Sequence, residues 1–425
     1  MSITSNDQKY IWHPYTHQKN MVSPIPIVRG KGAFLVDESG NKYIDAISSW
    51  WVTVHGHAHP YIAKKIYQQA KTLEQVIFAG FTHKPATELA ARLIPLLPGE
   101  FSKIFYSDNG STSTEVALKM ALQYWVNKGD INRNKIIAFK NSYHGDTFGA
   151  MSASSRSIFT KAFNEKLFDV IFIDTPTVEN LNVIKTQLEE NKDGIACFIY
   201  EPLLQGAGGM KMYDPKLLDT LLKYVKQQKI ICIADEVLTG FYRTGKMFAG
   251  DYMNEKADII CLSKGLTGGT MALGVTACTQ NIYTAFLSDD KLKTFYHGHS
   301  FTANPLACSA ALSSLDLFEK KKCINDIKRI IESNAKFMDI LSLNNFKRRI
   351  KNIRQLGTII AFEVETEQED AYLNNVSEVF TKFSLEKGVY LRSLGNTIYI
   401  MPPYCITGKQ LKKVYTVLRK FLNHE

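Results

Sequence analysis

Through the middle of the chain, short runs of continuous apolar residues alternate with stretches whose apolar positions recur at helical spacing. Residues 103–106, 135–139, 169–173, 195–200, 230–234 and 258–262 are runs of the first kind, rich in β-branched and aromatic side chains, and each predicts a strand. Residues 114–126 and 216–227 follow the helical period and predict helices between them. Strands that are apolar on both faces and separated by helices predict a mostly parallel sheet covered on either side. In such an α/β sheet, ligands collect beyond the carboxyl ends of the strands, so chemistry is sought in the residues just after each run.

The two ends of the chain follow a different pattern. The first 45 residues hold turn signals, Pro24-Ile-Pro26 and Glu38-Ser-Gly-Asn41, with short strands between them. After Pro305 comes a long helical pattern, then a strand over 355–363, a helix, and strand-like pieces over 390–401. This predicts a smaller α+β domain assembled from both termini, 1–47 and 311–425, around a large domain over 48–310.

Composition narrows the class. The chain has 425 residues, 45% of them apolar and 22% charged, which is globular usage and argues against disorder. A net charge of +10 suits anionic ligands and, dispersed over this length, does not call for nucleic acid. Met1 to Tyr10 lacks the charged segment and apolar run of a signal peptide. The longest stretch without charge, 265–288, is too rich in Thr and Gly to span a membrane. Seven scattered cysteines predict reduced thiols in a cytoplasmic protein.

Three features fall where a ligand would sit. The strand over 103–106 runs into Ser107-Asp-Asn-Gly-Ser-Thr112 and then a helix, which makes either a phosphate pocket at Gly110 and Ser111 or an ordinary N-cap. The strand over 230–234 ends in Asp235-Glu236, an acid that suits a ribose, a metal or a ring nitrogen. The next strand ends in Ser263-Lys264-Gly265. A lysine and an acid at the ends of successive strands match the needs of pyridoxal phosphate: an amine for a Schiff base with the aldehyde, and a carboxylate that keeps the pyridine protonated.

Other motifs weigh less. Gly240-Phe-Tyr-Arg-Thr-Gly-Lys246 begins like a P-loop, but Met247 has no hydroxyl for magnesium and the preceding strand ends several residues earlier. His55-Gly-His-Ala-His59 lacks a nearby cysteine and reads as a turn with capping histidines, not a metal site. Trp12, Trp50 and Trp51 crowd the start of the chain, and adjacent tryptophans on an extended strand face opposite ways, which suits either core packing or one ring offered to a partner or an apolar ligand.

Ala234-Asp-Glu-Val, Ser263-Lys264-Gly, Ser142-Tyr-His-Gly145, Glu201-Pro202 with Gln205-Gly-Ala-Gly-Gly209, and Thr239-Gly-Phe-Tyr-Arg-Thr-Gly245 together resemble the class III aminotransferases, in order and over nearly the whole length. The resemblance implies the transferase fold type I and pyridoxal 5'-phosphate as cofactor. It implies a Schiff base on Lys264, a ring-nitrogen contact from Asp235, and Tyr143 stacked on the ring. Gly110 and Ser111 would hold the phosphate, with His299 and Ser300 contributed across a homodimer. Tyr15, Trp50, Tyr143, Gly298 and Arg392 would line the substrate pocket. Trp12-His-Pro-Tyr-Thr16, Ser48-Ser-Trp-Trp51 and Ile400-Met-Pro-Pro-Tyr404 resemble the biotin-biosynthesis branch of that family. That branch implies amino transfer from S-adenosylmethionine to 8-amino-7-oxononanoate, giving 7,8-diaminononanoate. The rival readings are a sister enzyme acting on ornithine, 4-aminobutyrate or another ω-amine, and a non-catalytic basic binding protein. The family usually carries Pro-Thr where this chain has His299-Ser300, and glycine is common where it has Tyr242, which places a bulky ring near the expected site.

Overall fold

The computed structural model describes residues 2–343, 345–366 and 376–424. A seven-stranded sheet forms its centre, in spatial order Phe101–Ser107, Gly274–Thr279, Ile259–Leu262, Ile231–Asp235, Ile195–Tyr200, Lys135–Phe139 and Val170–Ile173. The last five are mutually parallel. All six strands expected from the apolar runs are present. The seventh, Gly274–Thr279, is antiparallel to both of its neighbours and lies inside the uncharged stretch over 265–288. Its threonines and glycine hide it in the sequence, yet it is almost wholly buried. Gly274 allows the close pairing: a Cβ there would come within 2.3 Å of the Asn109 carbonyl oxygen.

The sheet separates two apolar layers, as alternation along its strands requires. Ile136, Ala138, Cys197, Ile199, Ile231 and Ile233 face the helix Gly110–Asn127 through its Val116, Ala117 and Ala121. Ile137, Phe139, Phe198, Tyr200 and Cys232 face the opposite layer, which contains the apolar stripe Leu218, Leu221, Leu222 and Val225 of the helix Pro215–Gln227. Both expected helices are therefore found, one on each face.

The two ends of the chain meet in a second sheet. Ile27–Lys31, Phe34–Asp37 and Lys42–Asp45 form an antiparallel meander, and Lys42–Asp45 pairs in parallel with Val389–Tyr390. The strand expected over 355–363 is instead a hairpin, Ile350–Leu356 with Ile359–Val364, completed by Thr397–Ile400. Gly357 makes its turn at φ 54°, where a Cβ would lie 2.2 Å from the Thr244 carbonyl carbon, so only glycine fits. The long helical pattern after Pro305 is two helices, Pro305–Phe318 and Lys321–Leu343. A short helix, Ile3–Tyr10, precedes the first strand and is capped by Ser2. All seven cysteines are free. Among the described residues no helix is long and apolar enough to cross a membrane.

Candidate active site

At the carboxyl ends of the parallel strands lies a cavity of about 420 Å³. Strands Ile231–Asp235 and Ile259–Leu262 run side by side with Asp235 opposite Cys261. Asp235 and Lys264 therefore leave adjacent strand ends, and both line this cavity together with Gly110, Ser111 and Tyr143. Five of the expected residues are thus brought together from four separate segments of the sequence.

Lys264 takes φ 32°, a left-handed conformation unusual for a residue with a side chain. Burial holds its amine below the ordinary lysine value, while the charges of Asp235 and Glu201 pull the other way. The Trp51 ring closes one side, its centroid 5.3 Å from Nζ.

The helix Gly110–Asn127 begins at the cavity wall. Its cap is Asn109, whose side chain accepts from Thr112 N at 3.0 Å while the Thr112 hydroxyl accepts from Asn109 N at 2.9 Å. The N-cap reading is therefore observed, and the capping box uses the amides of Asn109 and Thr112, not those of Gly110 and Ser111. Residue 110 has to be small: a Cβ there would lie 2.7 Å from Val237 Cγ1. The helix start offers amides, a serine hydroxyl and a positive dipole end to an anion.

Two contributors were missed in the sequence although both lie in quoted motifs. His144 Nδ1 is 2.7 Å from the Asp235 carboxylate. Glu201 accepts from Tyr143 N at 3.0 Å and from Gly206 N at 2.9 Å, and burial pushes its carboxyl up to about 7. Glu201 directly follows the strand Ile195–Tyr200, so the strand-end search that found Asp235 also points to it. His144 sits five residues past Lys135–Phe139, in a loop whose course only the fold reveals.

A second group adjoins the cavity. Ser48, Ser49 and Trp51 all take positive φ in one tight turn, so the adjacent tryptophans diverge. Asp45 fixes that turn by accepting from Ser49 N at 2.7 Å and Ile47 N at 3.2 Å. Trp51 faces inward and donates from Nε1 to the Tyr399 hydroxyl at 3.0 Å. Trp50 faces outward, with the Tyr15 ring 5.7 Å away and the Arg392 guanidinium 5.3 Å over its ring. The Tyr15 hydroxyl donates to Asp146 at 2.7 Å, and burial together with that bond pushes its phenol up to about 12. Arg392 forms no ion pair among the described residues. The geometry thus joins Tyr15, Trp50 and Arg392, and adds Trp51 and Asp146 beside them.

Gly298, His299 and Ser300 lie elsewhere, in a separate cleft with Ile77, Phe78 and Phe105. His299 Nδ1 is 3.4 Å from Asp108, next to the cap of the Gly110 helix. Tyr242, expected near the site, packs its ring on Phe318 instead and does not line the cavity. The glycine-rich run over 240–246 is no nucleotide loop: Arg243 is buried, donating to the Trp51 and Pro402 carbonyls. Of the run 55–59, His59 occupies the N-cap position of the helix Pro60–Ala70 without a side-chain cap bond, while His55 bonds Ser314 and His57 bonds Asp45; His83 caps the helix Lys84–Leu93 through its side chain.

A fold of this topology is that of group-transfer enzymes, and residues 15–422 match the family model described as Aminotransferase class-III. The chain belongs to the class III aminotransferase family. It is 43% identical to the adenosylmethionine-8-amino-7-oxononanoate aminotransferase of Synechococcus elongatus, covering 97% of this chain and 98% of that protein. The crystal structure of the enzyme of the same name from Methanocaldococcus jannaschii superposes with a TM-score of 0.93 at 36% identity, over 99% of this chain and 98% of the other. The omega transaminase of Pseudomonas jessenii, solved in complex with PMP, shares the fold at a TM-score of 0.92 and 24% identity, over 99% of this chain and 98% of that chain.

Proposed function

We propose that this chain transfers an amino group from S-adenosylmethionine to 8-amino-7-oxononanoate, giving 7,8-diaminononanoate in biotin biosynthesis, with pyridoxal 5'-phosphate as cofactor. The observation that carries the reading is the convergence of Lys264, Asp235, Gly110, Ser111 and Tyr143 on one cavity. The full-length likeness to enzymes of that name supports the choice of substrates.

The donor set fits the cofactor. Lys264 offers an amine to the aldehyde, and Asp235 offers a carboxylate to the ring nitrogen. Gly110 and Ser111 offer helix-start amides and a hydroxyl to the phosphate, and Tyr143 offers a ring face. When bound, the cofactor supplies an aldehyde to carry nitrogen and a ring that spreads negative charge.

The protein does the rest. Lys264, kept partly neutral by burial, takes the proton from the substrate carbon that bears the transferred nitrogen. Asp235 holds its charge against the ring nitrogen, and His144 orients it. Trp51 and Tyr143 exclude water from the amine. Arg392 binds the keto substrate's carboxylate with its fork of donors, and Trp50 and Tyr15 cover the apolar chain leading to it. The enzyme works in the cytoplasm as a homodimer, with the 298–300 loop serving the other subunit's site. The exposed rings of Tyr296 and Phe301 on either side of that loop support such an interface.

The experiment is direct. Purified protein loaded with pyridoxal phosphate is given 8-amino-7-oxononanoate with S-adenosylmethionine, lysine, ornithine or 4-aminobutyrate in turn, and diamine product is measured by mass spectrometry. Product with S-adenosylmethionine supports the reading. Turnover of ornithine or 4-aminobutyrate alone would move the chain to a sister activity.

A further inference from the structure

The histidine run over 55–59 has no place in the chemistry above, yet one of its members braces the floor of the cavity. His55 is buried, and its Nε2 lies 3.0 Å from Ser314 Oγ in the helix Pro305–Phe318. That hydroxyl has a single proton, and it donates it to the Gly265 carbonyl at 3.2 Å. Ser314 must then accept from the imidazole, which fixes the His55 proton on Nε2. Gly265 directly follows Lys264, whose φ of 32° persists only where the surroundings over-determine it.

The imidazole also fills the concave side of the turn. A Cβ on Gly268, at φ 64°, would lie 3.0 Å from His55 Cδ2, so ring and turn fit against each other. The Phe318 ring backs the imidazole with centroids 4.4 Å apart. Burial above all, with the nearby His59 and Arg243, pushes it down to about 3 against the opposing bond to Ser314. It stays neutral, in one tautomer, throughout the working range.

We propose that His55 is a positioning residue for Lys264: through Ser314 it holds the left-handed turn that aims the amine into the cavity, though His55 does not itself line that cavity. The inference rests on the function proposed for Lys264 above. The relay reaches across the fold, from a loop before the central sheet to the helix after it, and ends on the carbonyl next to the reacting lysine.

The test uses the full chain loaded with pyridoxal phosphate. Ser314→Ala removes the relay hydroxyl, Ser314→Thr keeps it, and His55→Phe keeps a ring without a donor. Each variant is read for kcat, KM, melting temperature and the pH midpoint of its visible absorbance. Ser314→Ala and His55→Phe are expected to lower kcat roughly tenfold with KM within about twofold, because misaiming costs the chemical step more than binding. The midpoint is expected to shift by roughly half a pH unit or more as the environment of the amine changes. Ser314→Thr is expected to restore both. Wild-type kcat and midpoint in Ser314→Ala and His55→Phe, with only the melting temperature lowered, would show that His55 merely packs, and would overturn the inference. Should one of these two variants fail to fold, the other decides by the same readings. A wild-type chain that takes up no cofactor contradicts the proposed function itself and removes this inference with it, an outcome visible before any variant is measured.

Discussion

The imidazole of His144 meets the carboxylate of Asp235 at 2.7 Å, and both side chains are buried. Among the described residues, the other oxygen of Asp235 accepts only from Val237 N, at 3.1 Å. His144 is held in turn by Ser154, whose hydroxyl accepts from its backbone N at 2.8 Å. Its own Nε2 is buried without a partner, so the ring's one polar contact is the bond from Nδ1 to the acid. An acid oriented in this way suits the ring nitrogen of the proposed cofactor.

Replacing that histidine tests the pairing. His144→Phe leaves a buried carboxylate short of a donor, at a cost of about 1–3 kcal/mol. We expect kcat to fall roughly tenfold or more and the visible band of the loaded protein to weaken. Steady-state kinetics and a spectrum of the purified variant check this; a wild-type kcat would remove His144 from the account.

In the proposed reaction Arg392 binds the keto substrate's carboxylate; it stands over Trp50 without an ion pair of its own among the described residues. Charge-assisted bonds to a carboxylate contribute about 1.5–3 kcal/mol. Arg392→Ala is accordingly expected to raise KM for the keto substrate roughly 10- to 100-fold while kcat changes little. Initial rates over a range of keto substrate decide it, and an unaltered KM would put the carboxylate elsewhere.

Glu236 gives a stability test that leaves the cavity alone. Glu236 does not line the cavity around Lys264, and its carboxyl accepts from Thr239 Oγ1 at 2.9 Å, Ala249 N at 2.8 Å and Gly250 N at 2.7 Å. Burial pushes it from 4.5 up to about 7. The folded chain therefore binds this proton more tightly than the unfolded chain does. That contribution is complete below about 4.5 and is lost as pH rises to about 7. Glu236→Gln cannot titrate, so its melting temperature should drop less between pH 5 and pH 8 than that of the wild type, by a few degrees. Differential scanning calorimetry at the two pH values measures it, and equal drops would contradict the burial argument.

Much of this was legible in the sequence, and the reason is local. Strands such as Ile195–Tyr200 are buried on both faces, so their apolar character is continuous and needs no partner to be read. Lys264 and Asp235 were found because a parallel sheet puts its ligands at strand ends. The strand Gly274–Thr279 was missed because its pairing between Phe101–Ser107 and Ile259–Leu262 depends on backbone approach at Gly274, not on its own side chains. The divergence of Trp50 and Trp51 was expected from strand alternation, but it arises from a strained turn held by Asp45. Trp51 finds its partner Tyr399 at the far end of the chain, and no short-range pattern reports such a contact. His144 was quoted within a motif but given no role, since its bond to Asp235 exists only after two loops are folded together.

The account depends on Lys264 being the amine that holds the cofactor. Protein incubated with pyridoxal 5'-phosphate, reduced with borohydride, digested and mapped by mass spectrometry tests this directly. The predicted result is one stable pyridoxyl adduct on the peptide containing Lys264, absent from Lys264→Ala along with visible absorbance and turnover. An unmodified Lys264, or an adduct on another lysine with wild-type turnover in Lys264→Ala, would contradict it.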